Sequence, residues 1–100
     1  MASTRDDLQA VQDLTDAALV DYARRPSDRD IESLTGQLLR QAGLLCADVA
    51  CLPGSAAVLA DWETIKAAGP DCGTLGSWVY ARALARVACR MLALLGVAAR

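Results

Sequence analysis

Arg82, Arg86 and Arg90 follow one another at steps of four. On a helix each such step turns by only about 40°, so the three guanidinium groups form one stripe. A row of arginine forks is suited to gripping a carboxylate or another anion, because each planar fork can donate two parallel hydrogen bonds. Trp78 and Tyr80 lie just before the stripe. With Arg82 and Arg86 they make the candidate ligand pocket, and Arg90 extends its cationic edge. The competing reading is a solvated or inter-helix ion-pairing face, the commoner outcome for such a stripe. Exposed pairs of that kind contribute only about 0–1 kcal/mol each.

Little else in the chain is equipped for chemistry. There is no His, so no Ser–His or Cys–His pair can form within the chain. Asp61 and Glu63 flank Trp62 but stand about 200° apart on a helix, too far round to share a site. Trp62 therefore reads as a core anchor, and either carboxylate could act as an acid or base only alone, with burial raising its pKa. Gly73 to Ser77 precedes a helix, where anions are attracted. It lacks the P-loop pattern and its lysine, and reads as a linker ending in a Ser77 cap. Cys46, Cys51, Cys72 and Cys89 include no CxxC pair. They read as free, mostly buried structural thiols, with no metal site and no cofactor implied. No catalytic residue is assigned, and whether the protein is an enzyme stays open.

Four helices are expected to position these residues. The first spans about Thr4 to Arg25, capped by Ser3 or Thr4, with Leu8, Val11, Thr15, Ala18, Leu19 and Tyr22 on one face and Pro26 as its stop. The second opens at a capping box of Ser27 with Asp30. Its apolar residues Ile31, Leu34, Leu38, Ala42, Leu45, Val49 and Leu52 recur every three or four positions, the strongest periodic signal in the chain. Gly36 and Gly43 inside it are expected at close helix crossings. The third helix runs from Ser55 to about Ala68 with Val58, Leu59, Trp62 and Ile65 inward, and Gly69-Pro70 ends it. The fourth runs from Ser77 or Trp78 to about Ala98, with Tyr80, Leu84, Val87, Met91, Leu94 and Ala98 on its inner face. Short connections favour an all-α, four-helix antiparallel up-and-down bundle, forming one domain over residues 1–100.

Composition limits the partners. Of the 100 residues 54% are hydrophobic, mostly Ala and Leu. That is more apolar surface than so small a chain hides easily, which points to a second copy, a homodimer. The apolar end of the last helix is the expected interface, with Leu92, Leu95 and Val97 exposed in a lone bundle. No acidic residue occurs from Cys72 onward, whereas the start holds Asp6, Asp7, Asp13, Asp16 and Asp21. An acidic first helix and an arginine-striped last helix can attract each other within one chain or between two. The net charge of −2 argues against nucleic-acid binding. The polar, acidic start is unlike a signal peptide, and the arginines forbid a simple membrane span, so a cytoplasmic, soluble protein is expected.

Three stretches carry a resemblance to known proteins. They are the run from Ile31 to Arg40 (IESLTGQLLR), Asp48-Val49 leading to Leu52-Pro53, and Tyr80 to Arg90 (YARALARVACR). Together the layout resembles a family of small, uncharacterised actinobacterial helical proteins associated with natural-product biosynthesis. Its members often carry a His soon after the arginine of the second-helix run, where this chain reads Arg40-Gln-Ala-Gly. The resemblance implies a helical protein of specialised metabolism and names no reaction. Two functions are consistent with all of this. One is a non-enzymatic accessory or interaction protein acting through helix faces. The other is a small ligand-binding protein, or a cyclase- or isomerase-like enzyme, whose arginine-lined pocket holds an apolar or anionic metabolite.

Overall fold

The computed structural model describes residues 5–70 and 75–96. Four helices make up the fold: α1 (Arg5–Ala18), α2 (Asp28–Ala50), α3 (Ala56–Ala68) and α4 (Gly76–Leu94). A short 3-10 turn, Tyr22–Arg24, lies between the first two. No strand occurs among the described residues. The expected caps at Ser3 and Thr4, and Cys72, Val97 and Ala98, lie outside the described residues.

Helix α2 follows its sequence pattern. The Ser27 hydroxyl accepts a hydrogen bond from the Asp30 amide at 3.3 Å, satisfying one of the amides left free in the first turn. Ile31, Leu34, Leu38, Ala42, Leu45 and Val49 are all buried. The two glycines do not mark crossings, however. A Cβ built on Gly36 or Gly43 meets nothing within 4 Å, because both lie away from the neighbouring helices. Gly69 is needed where it stands. It ends α3 at φ 67°, a conformation that L side chains rarely adopt.

Helix α1 is shorter than its pattern predicts. It ends at Ala18 instead of Arg25, and Tyr22 is left exposed. The cause lies far along the chain. The Arg82 guanidinium donates to the carbonyls of Ala18 at 3.3 Å and Val20 at 2.7 Å. Those two oxygens would otherwise accept from the amides of Tyr22 and Arg24 in a continuing helix. A tertiary donor has displaced the local ones.

Helix α4 packs against each of the other three, most extensively against α2, and among the described residues no contact joins α1 to α3. Its innermost line is Ala81, Ala85, Ala88 and Leu92, all buried. Small side chains there let α2 approach closely. Tyr80, Leu84, Val87 and Met91 fill the flank, as the spacing predicts. Leu94 instead faces partly outward. Two further expectations are corrected here. Ser77 is not the cap: α4 begins at Gly76, Leu75 occupies the cap position without a side-chain bond, and Ser77 lies within the helix. Leu92 is not an exposed interface residue. It is 2% exposed, because it continues the alanine line into the chain's own core. Leu95 is half-buried and packs against the same core.

Two substitutions probe this packing by chemical denaturation. Gly36→Ala is expected to raise stability by about 0.5–1 kcal/mol, since it adds helix propensity without a clash. Leu84→Ala is expected to lower it by about 2–5 kcal/mol through the cavity it leaves.

Candidate functional site

The three arginines sit on one side of α4 but meet three different environments. Arg82 is half-buried and tied to the end of α1. Its guanidinium also stands 5.3 Å from the centre of the Trp78 ring, within cation–π range. Arg90 is exposed and pairs with Asp61 of α3 at 2.6 Å. Arg86, one turn from each, is exposed and makes no hydrogen bond or ion pair with any described residue. The first and last helices do meet, but through a cation on carbonyl oxygens. A helix C-terminus carries partial negative charge, so this contact is favourable without any aspartate.

The aromatic half of the candidate pocket is divided. Trp78 and Tyr80 are two residues apart, so their side chains leave α4 about 200° from each other. Trp78 packs with Ile31 and Ala81 at the start of α2, with Val20 against them. Tyr80 faces α3, and its hydroxyl donates to the Lys66 carbonyl at 3.2 Å. Thus Trp78, Tyr80, Arg82, Arg86 and Arg90 do not converge on one cavity. Trp78, Tyr80 and Arg82 serve helix ends and core.

The α3–α4 seam carries two open apolar depressions. One, of about 330 Å³, is lined by Gly54, Ala57, Val58, Arg90, Ala93 and Leu94. The other, of about 210 Å³, is bordered by Ile65, Ala68, Val79, Tyr80 and Ala83. Only Arg90 of the stripe touches either, and its charge is already answered by Asp61. A third hollow, of about 180 Å³, lies beside Glu32, Thr35, Pro70, Ser77 and Tyr80. The Thr35 hydroxyl oxygen there is buried with no hydrogen-bond partner among the described residues.

The remaining sequence candidates are dispersed. Trp62 is 1% exposed and anchors the core, as its spacing predicts. Asp61 and Glu63 are both exposed and belong to separate ion pairs, Glu63 with Lys66 at 3.0 Å. Cys46, Cys51 and Cys89 are free thiols, and Cys51 is exposed, not buried as expected, because it caps the solvent end of α2. Burial pushes the Cys46 thiol above its ordinary value, the Glu63 carboxylate adds to the rise, and Lys66 opposes it. Among the described residues no three His, Cys, Asp or Glu side chains gather as metal ligands, and no helix is long and apolar enough to cross a membrane. Sequence reasoning missed the Asp61–Arg90 pair, which no local spacing rule reveals. It also missed that Tyr80 caps α3, although the two-residue step from Trp78 already separates the rings.

Compared with known protein families, curated proteins and solved structures, the chain matches none.

Arg82→Met, which keeps most of the stem but removes the donor, is expected to cost about 1–2 kcal/mol of stability by thermal or chemical unfolding. Cys46 should be alkylated more slowly than Cys51 at pH 8, since it is less accessible and burial raises its pKa. The same raised pKa means the fold holds that proton more tightly than the unfolded chain. Its contribution is therefore full below the ordinary thiol value and fades as pH climbs through the raised one. Mass spectrometry of a timed iodoacetamide reaction checks the order.

Proposed function

We propose that this chain is a non-enzymatic accessory or interaction protein that works by offering helix faces to a partner, most simply a second copy of itself. One observation carries the reading: the outer side of α3 and α4 leaves many apolar residues uncovered among its charged ones. Ala56, Ala57, Ala60, Ala67 and Ala68 of α3 are exposed. Val79 and Leu94 of α4 are exposed too, and each borders one of the two seam depressions. Uncovered apolar surface of this kind favours protein–protein contact. The pieces of an active site, by contrast, are separated or already engaged.

The bundle is antiparallel and up-and-down on this reading. Supporting it, the first turns of α4 meet the C-terminal ends of both α1, through Arg82, and α3, through Tyr80. Arg90, further along α4, meets Asp61 earlier in α3. The cytoplasmic setting and a place in actinobacterial specialised metabolism rest on the sequence pattern and the resemblance described above.

A second reading has one specific observation in its favour. The depression of about 330 Å³ beside Arg90 is large enough for a small apolar or anionic metabolite. Native mass spectrometry of protein purified from its source cells separates the two. We expect an assembly with more than one chain and no bound small molecule. A strict monomer that retains no protein partner in pull-downs from source-cell extract would defeat the interaction reading, and a co-purified metabolite lost on Ala93→Trp would establish the second.

A further inference from the structure

We propose that the self-association surface extends from the apolar α3–α4 side across the outward strip of α4 onto α1, and that a two-fold dimer sets Asp13 of one protomer against the partner subunit's Arg86. This deepens the interaction reading above and rests on it. Among the described residues no carboxylate of the first helix forms an ion pair with the arginine stripe. Arg82 reaches α1 only through the Ala18 and Val20 carbonyls, and Arg90 turns the other way to Asp61. Arg86 is left exposed, with no partner among the described residues.

On α1, Asp6, Gln9, Asp13 and Asp16 are all exposed, at spacings of three, four and three. They form an outward acidic line, in which Asp13 accepts a hydrogen bond from Gln9 at 2.8 Å. On α4 the outward residues are Val79, Arg86, Arg90, Ala93 and Leu94. The only charged residues of α4 are arginines. The two helices pack against each other, so the exposed carboxylates of α1 lie on the helix next to the exposed Arg86 of α4. Arg86 is one turn along α4 from Arg82, and Asp13 is a little over one turn back along α1 from Ala18. With the helices antiparallel, the two residues stand at similar height.

Such a surface is self-complementary. A two-fold axis between the lines lays each acidic line over the other copy's basic line, and each contact occurs twice. Stacking in the opposite sense would bring like charges together, so charge fixes the arrangement. Val79 and Ala93 at the two ends of the basic line supply apolar contact.

Sedimentation equilibrium on the full chain tests this. The wild type is expected to dimerise, with a Kd about tenfold weaker in 500 mM than in 50 mM NaCl, because exposed charges are screened at the higher salt. Arg86→Glu and Asp13→Arg should each weaken the dimer about tenfold, since attraction becomes repulsion at two symmetric places. The double variant should regain dimerisation. Both positions are exposed, and an unchanged circular dichroism spectrum confirms that each variant is folded. Rescue in the double variant supports the pairing. A salt-insensitive dimer that tolerates Arg86→Glu overturns this interface while leaving self-association intact. A wild-type monomer at both salt concentrations overturns the interface and the homodimer together, and pull-downs then decide whether a different protein is the partner.

Discussion

The carbonyl ends of α1 and α3 both finish against the first turns of α4, and everything else in the fold is arranged around satisfying them. A helix leaves its last carbonyls without intrahelical donors, and where those ends are sheltered from water they need other partners. Arg82 answers α1 and Tyr80 answers α3. Two side chains, two residues apart on one helix, project to opposite flanks and hold two different helices. That geometry sets how α1 and α3 are placed along α4. It also commits the aromatic and cationic residues that looked like a ligand site. A guanidinium anchored on two carbonyls and a tryptophan face is held in place by the fold.

The centre of α4 imposes the complementary condition. It must be covered on several sides by helices that do not all touch one another. Ala81, Ala85 and Ala88 have no exposed surface and present almost no bulk. The α2 residues Leu34, Leu38, Ala42 and Leu45 can therefore come close, filling space that larger α4 side chains would have kept open. Close packing of that kind leaves few voids in the middle of the bundle. Among the described residues, hollows lie instead along the α3–α4 seam and beside Glu32 and Thr35 of α2. Helix α3 buries only Val58 and Trp62 fully and turns alanines outward. The helix with the fewest buried residues thus also exposes a run of alanines.

The sequence made some of this legible and hid the rest for physical reasons. The three-and-four spacing from Ile31 to Val49 marks α2 and its buried face because bulky aliphatics reveal their own period. Ser27 and Gly69 mark helix ends because their effects are local: a hydroxyl reaches an amide three residues on, and glycine alone tolerates the positive φ. The end of α1 was hidden because Arg82 acts across more than sixty residues. The inner line of α4 was hidden because alanine is weakly hydrophobic and common on every face. Reading the helix from its large residues alone led to Leu92 being placed outside. The arginine stripe was legible as a stripe, since the three arginines do share one side of α4, but what each arginine meets was not. Its aromatics diverge, and the carboxylate that meets Arg90 comes from another helix.

The arginine stripe then divides by what each cation does for the fold. Arg82 is partly withdrawn from water, and losing it would leave carbonyls at the end of α1 without their donor. Such a group is costly to remove because the partner left behind stays desolvated. Arg90 and Asp61 are both about half exposed, and water competes with their attraction. Arg86 contributes no contact to its own chain among the described residues. Its planar fork of donors is not engaged by any described residue. Of the three, it alone can meet a carboxylate from outside without first giving up a partner inside. In the dimer proposed above the intermolecular contact is therefore given to the middle arginine, whose removal should disturb the bundle least.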